Sequence, residues 1–152
     1  MKKSIWGPCI WKTIHTLTVK IKDNHFNDQK KGLIEIIFKI CANLPCPSCA
    51  SHASGLLKKY KVKFITTKEQ LIKAMCKIHN EVNIRLKKKI FTYENVIPLY
   101  SSYNLKDILN DYYNKNIESR FAEKMMLHNF HKNEFLKFFK KYIIENISYF
   151  DP

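Results

Sequence analysis

Apolar positions recur with a helical period along most of the chain. The stretch "DQKKGLIEIIFKICANL" carries Leu33, Ile36, Ile37, Ile40 and Leu44 on most of its sides, with Asp28 as N-cap and Pro45 as a stop. It predicts a central buried helix. A second helix is expected from Cys46 or Pro47, since proline suits a first turn, and runs through Leu56, Leu57 and Tyr60. Thr67, with Gln70 three residues on, marks the next start; Leu71, Met75, Val82 and Leu86 follow at helical spacing, with His79 and Asn83 on the same stripe. Beyond Pro98 come two amphipathic segments, roughly 104 to 117 and 119 to 147. The second carries Phe135, Phe138, Phe139, Tyr142 and Ile143, a stripe that suits a core or a partner-docking face. Near the N-terminus the pattern is two-sided. "TLTVKIK" alternates like a strand, whereas Trp11, Ile14, His15 and Thr18 fit a helix.

A chain of 152 residues with 45% hydrophobic content suits one globular domain with a small appendage, and "YSSYN", around residue 102, is the best candidate for a junction. Lys and Glu interrupt every apolar run, so no membrane span is expected. The start, "MKKSIWGPCIWK", lacks the apolar region of a secretory signal, and a cytoplasmic location is expected. The net charge of +14 invites a nucleic-acid reading, but the lysines are spread out and no recognised nucleic-acid motif accompanies them; they read as solvated helix faces. With three glycines the chain has no Gly-rich phosphate loop or dinucleotide fingerprint. A nucleotide cofactor would have to be held by other means.

Chemistry enters with "LPCPSCASHA" (44–53). Cys46-x-x-Cys49 and Cys76-x-x-His79 form two ligand pairs, with His52 to spare, which is the pattern of a structural zinc site in a basic helical module that binds nucleic acid. The spacer of 26 residues is longer than in compact zinc fingers and looks like helices with their own core. The same pair at a helix N-terminus also suits redox exchange, because the free N–H groups and the helix dipole favour a thiolate. Five cysteines are an odd number, and none lies beyond Cys76, so the C-terminal segments cannot relay thiols.

"WGPCIWKTIH" (6–15), "LPCPSCASHA" and "CKIHNEVNIRLKKKIF" (76–91) resemble, in order and separation, the three signatures of the Erv/ALR family of FAD-linked sulfhydryl oxidases, most of all its compact versions from large cytoplasmic DNA viruses. The resemblance covers about residues 5 to 100. It implies an all-α fold: a four-helix bundle that binds FAD, a short fifth helix and usually a homodimer, with residues 1–102 as the oxidase domain and 103–152 as a C-terminal helical extension. It also favours helix over strand at the N-terminus. By position, Gly7, Trp11, His15, His79, Asn80, Val82, Asn83, Lys87 and Lys89 would bind the cofactor, the two lysines at its pyrophosphate or adenosine end. Cys46 would exchange with a substrate dithiol and Cys49 would pass electrons to FAD, and thence to oxygen with release of hydrogen peroxide. The electron donor would be a dithiol protein or a small redox partner, which the cationic surface would help recruit if it were acidic. The viral resemblance implies host cytoplasm or virion as the location. A further possibility is an oxidase core kept as a scaffold, with the tail from about 104 as the working interface.

The chain departs from the family pattern in places. Ala74 stands where many relatives have tryptophan. Cys76 matches one half of a structural disulfide whose other half would fall near Tyr93, where no cysteine stands, so a buried free thiol is expected. Cys41 is expected to be inert on its buried helix; Cys9, beside Pro8, could serve as a shuttle or an intersubunit link, and neither role is expected.

Overall fold

The computed structural model describes residues 2–122 and 126–152. The fold is all-α, and its described helices are α1 (Lys3–Lys20), α2 (Phe26–Ala42), α3 (Pro47–Lys59), α4 (Lys68–Arg85), α5 (Tyr93–Ser101), α6 (Leu105–Ala122) and α7 (Met126–Asn146). Helices α1 to α4 close a ring in which each packs on the next and α4 returns to α1. This is the expected bundle. The fifth helix, α5, lies against α1 and α4, and Val96 and Tyr100 close a small second core with Val19, Ile72 and Cys76.

The expected apolar residues of α2, Leu33, Ile36, Ile37, Ile40 and Leu44, are all buried, but α1 is more central still. Every residue from Thr13 to Ile21 is buried, because α6 and α5 cover the sides of α1 that the bundle leaves open. A helix covered all round shows no amphipathic stripe, which is why its sequence also reads as a strand. Two of its threonines are tolerated because Thr13 donates to the Cys9 carbonyl at 2.9 Å and Thr18 to the His15 carbonyl at 2.9 Å, while the buried Thr16 hydroxyl has no partner among the described residues. By contrast, α2 keeps an exposed side at Asn27, Asp28, Lys31 and Glu35. It also starts before the expected cap: Phe26, which is buried, anchors the first turn, and Asp28 sits inside that turn, where a carboxylate still suits the helix dipole.

Local rules set the other ends. Pro47 opens α3, with Cys46 as its N-cap. Thr67 and Gln70 form a complete capping box on α4. At the far end of α4, Lys88 N–H reaches the Asn83 carbonyl at 2.8 Å and Lys87 N–H the Ile84 carbonyl at 3.0 Å, with Lys87 in the left-handed region at φ 55°. Those bonds make a Schellman turn around a residue that is not glycine.

The turn after α5 falls at 102–104, but the helices beyond it have no separate core. Leu105, Leu109, Tyr112, Phe135, Leu136, Phe139 and Tyr142 belong to the same buried cluster as Ile14, Leu17, Ile37 and Leu57. The aromatic stripe of α7 is therefore mostly core, with the Tyr112 and Phe139 rings 5.0 Å apart. The C-terminal residues are stitched to α1 and α6 through Asp151 N–H to the Lys20 carbonyl at 2.7 Å and Leu105 N–H to the Pro152 carbonyl at 2.8 Å.

Candidate active site

Cys46 and Cys49 are joined as a disulfide across the first turn of α3. Cys49 N–H donates to Cys46 Sγ at 3.3 Å, and the Ser48 hydroxyl lies 3.1 Å from the same sulfur. These groups and the helix dipole would stabilise negative charge on Cys46 once the bond opens. The two sulfurs face different surroundings. Cys49 lines a cavity of about 480 Å³ between α1, α3, α4 and α5, and Cys46 does not.

The cavity wall opposite is built from rings. Trp11 stacks on His79 with centroids 4.0 Å apart and planes 9° from parallel. His15 Nε2 lies 3.0 Å from His79 Nδ1, and the His15 ring stacks on Tyr100 at 4.5 Å. His15 is fully buried and its Nδ1 has no partner among the described residues. A buried N–H without an acceptor is rarer than a buried acceptor without a donor, so His15 carries its proton on Nε2 and donates to His79. His79 then holds its own proton on Nε2. Burial pushes His15 down to about 3, and burial followed by the nearby Lys88 charge pushes His79 down to about 4. Both rings are neutral at neutral pH and present dipoles, not charge.

The expected residues divide into two groups. Gly7, Trp11, His79, Val82 and Asn83 line the cavity. A Cβ on Gly7 would meet nothing within 4 Å, so the backbone there is open to a bound group. His15 stands behind His79. Asn80 is not on the lining: its amide donates to the Phe91 carbonyl at 2.8 Å and accepts from Phe91 N–H at 3.2 Å. Phe91 is thereby held edge-on to His15 and His79. Lys87 and Lys89 are also off the lining, because the left-handed turn at Lys87 puts Lys88 on the cavity side instead.

Lys88 is joined on the cavity wall by Lys3, Lys12 and Arg85, none of them expected from sequence. For Arg85 and Lys88 the local hint was the end of α4, which sets their register; Lys3 and Lys12 come from α1. Tyr100 and Tyr103, from the expected junction, line it too, as do His52 and the buried Cys41. Burial, then the Arg85 charge, lowers the pKa of His52. Four cations beside stacked rings, open backbone at Gly7 and one sulfur of a redox pair fit a dinucleotide with a flat redox ring.

The family model for the Erv1/Alr family matches residues 8–101. The chain belongs to the Erv1/Alr family. It is 30% identical over 103 residues to the "FAD-linked sulfhydryl oxidase" of African swine fever virus (isolate Tick/Malawi/Lil 20-1/1983), covering 68% of this chain and 86% of that protein. It is 32% identical over 102 residues to "FAD-linked sulfhydryl oxidase ERV2" of Saccharomyces cerevisiae, covering 66% of this chain and 50% of that one. "Putative FAD-linked sulfhydryl oxidase 088R" of Frog virus 3 is 27% identical over 100 residues, covering 62% and 65%. No solved structure matches.

Nothing among the described residues favours the zinc alternative. Cys46 and Cys49 are bonded to each other, Cys76 is buried in the small core with Val96 and Tyr100, and His79 is committed to His15 and Trp11. No group of three or more potential ligands converges among the described residues. Cys9, Cys41 and Cys76 are buried free thiols. Burial, then the carboxylate of Asp111 to which Cys9 donates at 3.4 Å, pushes Cys9 up to about 11. Burial pushes Cys41 up to about 12 and raises Cys76 as well. None of the three is a thiolate at neutral pH.

Proposed function

We propose that this Erv1/Alr member is a FAD-dependent sulfhydryl oxidase that makes disulfides in dithiol proteins and reduces oxygen to hydrogen peroxide. The observation that carries the reading is the split environment of the Cys46–Cys49 pair, with only Cys49 on the ring-lined cavity. Cys46 meets the substrate. A substrate thiolate attacks Cys46 Sγ, the Cys46–Cys49 bond breaks, and Cys49 leaves as a thiolate beside the cavity. The second substrate thiol, once deprotonated, attacks the substrate sulfur of the mixed disulfide. The substrate leaves oxidised, and Cys46 leaves as a thiolate held by Cys49 N–H and the α3 dipole.

FAD, when bound, takes the electron pair from the dithiol and gives it to oxygen, so the net change is two thiols and oxygen to a disulfide and hydrogen peroxide. Trp11, His79 and Tyr100 supply the flat wall for its rings, and Lys3, Lys12, Arg85 and Lys88 the charge for its pyrophosphate. The neutral His15–His79 pair fixes the Trp11 ring by stacking and adds no competing charge.

Residues 1–102 act as the oxidase domain and 103–152 as an extension folded onto it. No described helix is long and apolar enough to cross a membrane, and the viral relatives support action in the cytoplasm or in a virion. A homodimer would have to use faces other than α1, which α6 covers. The test is oxygen uptake and peroxide release with dithiothreitol. Turnover lost in both Cys46→Ala and Cys49→Ala, with flavin retained, is expected; turnover that survives Cys49→Ala sinks the reading.

A further inference from the structure

A second cavity, of about 520 Å³, opens between the C-terminal end of α2 and α7. Lys39 comes from α2, and Lys137 and Lys141 from α7, three ammonium groups against the single carboxylate of Glu134 on the lining. Lys39 caps the Phe138 ring at 4.5 Å and has no ion-pair partner among the described residues. Lys137 meets Glu134 at 3.4 Å, and Lys141 meets Glu145 at 3.9 Å, both well exposed. Such contacts hold an ammonium weakly, so an incoming carboxylate can displace them.

The groove's position gives it meaning. Asn43 lines it, and Leu44, the next residue, lines the cavity that holds Cys49. Three residues of chain reach at most about 11 Å, so the groove edge at Asn43 lies within that distance of Cys46. The segment Asn43–Cys46 thus separates an aromatic redox cavity on one side from a cationic groove on the other. We propose that the groove docks an acidic segment flanking the dithiol of the protein substrate, delivering its thiols to Cys46. This deepens the oxidase reading and rests on it. Steering between opposite charges raises encounter rates and favours one class of partner, and the Phe138 floor accepts an apolar side chain beside the carboxylates.

The experiment uses the full flavin-loaded chain and the triple variant Lys39→Glu, Lys137→Glu, Lys141→Glu, with a milder Gln triple variant in case charge reversal disturbs folding. Docking is read by fluorescence anisotropy of a labelled peptide carrying Asp and Glu around two serines in place of cysteines. Turnover is read by oxygen uptake with the matching dithiol peptide, a neutral dithiol peptide and dithiothreitol. We expect the native chain to prefer the acidic dithiol peptide by about 10-fold or more in kcat/KM at low salt, to lose that preference as salt rises, and to lose it in both variants chiefly through KM. Dithiothreitol, small and uncharged, should turn over alike in all three. Acidic-peptide affinity and kcat/KM unchanged in both variants would overturn the docking site. So would a shift confined to binding of a single-stranded oligonucleotide. Absence of dithiothreitol turnover in the native chain would instead sink the oxidase reading, and the anisotropy would still decide the docking.

Discussion

Replacing Phe139 by alanine tests whether the C-terminal helices are part of the catalytic fold. The side chain is 2% exposed and lies between Tyr112 at 5.0 Å and Phe135 at 6.1 Å, inside the cluster that also holds Ile14, Leu17 and Leu57. Truncating such a buried ring costs about 3–5 kcal/mol, the lost transfer energy plus the cavity left behind. Total stabilities run at about 5–15 kcal/mol, so the loss is large. At about 2–4 °C per kcal/mol for a chain of this size, Tm should fall by about 6–20 °C. The assay is denaturation followed by far-ultraviolet ellipticity, which sees every helix, and by flavin fluorescence, which sees the cavity alone. Both transitions should move together, because α6 lies along α1 and α1 carries Trp11 and His15. Phe130→Ala, at a ring 59% exposed, should change stability by no more than about 0.5 kcal/mol. An early loss of helix signal with an unmoved flavin transition would refute the single-core account.

Acid should destabilise the fold through the buried imidazoles. Because His15 and His79 sit at about 3 and about 4, below the usual 6.5, the unfolded chain binds more protons through that window. Stability is then full above about pH 6.5 and falls by about 1.4 kcal/mol per unit per ring as pH drops toward 4; a urea-stability profile of His79→Gln with an undiminished acid slope would contradict this. Lys88→Ala should weaken FAD binding about 10-fold, whereas Lys89→Ala should leave it unchanged, since only Lys88 lines the cavity; flavin titration by fluorescence separates them. Lys87→Gly should stabilise by about 1 kcal/mol, since a left-handed residue costs less as glycine, and a lowered Tm would show that the turn is not left-handed.

What could be read from sequence was local. The capping pair Thr67 and Gln70, Pro47 at the head of α3, and the spacing of His79, Val82 and Asn83 each encode their structure within a turn. Other features were hidden. The chain's most buried helix hides its period because neighbours surround it, and those neighbours include α6, whose Asp111 meets Cys9 across 102 positions. In the lysine run, one left-handed residue changes which of three consecutive side chains faces inward, so Lys88 lines the cavity in place of Lys87 and Lys89. Asn80 shares its helix with the lining residues, but its amide is consumed by the backbone of Phe91, a partner no periodicity reveals.

In the proposed mechanism electrons leave the substrate through Cys46 and reach FAD only through Cys49. Anaerobic mixing of the flavin-loaded chain with excess dithiothreitol, followed by visible absorbance, tests it directly. Rapid bleaching of the oxidised flavin bands is expected in the native chain, and bands that persist in Cys49→Ala. Bleaching of Cys49→Ala at the native rate would contradict it.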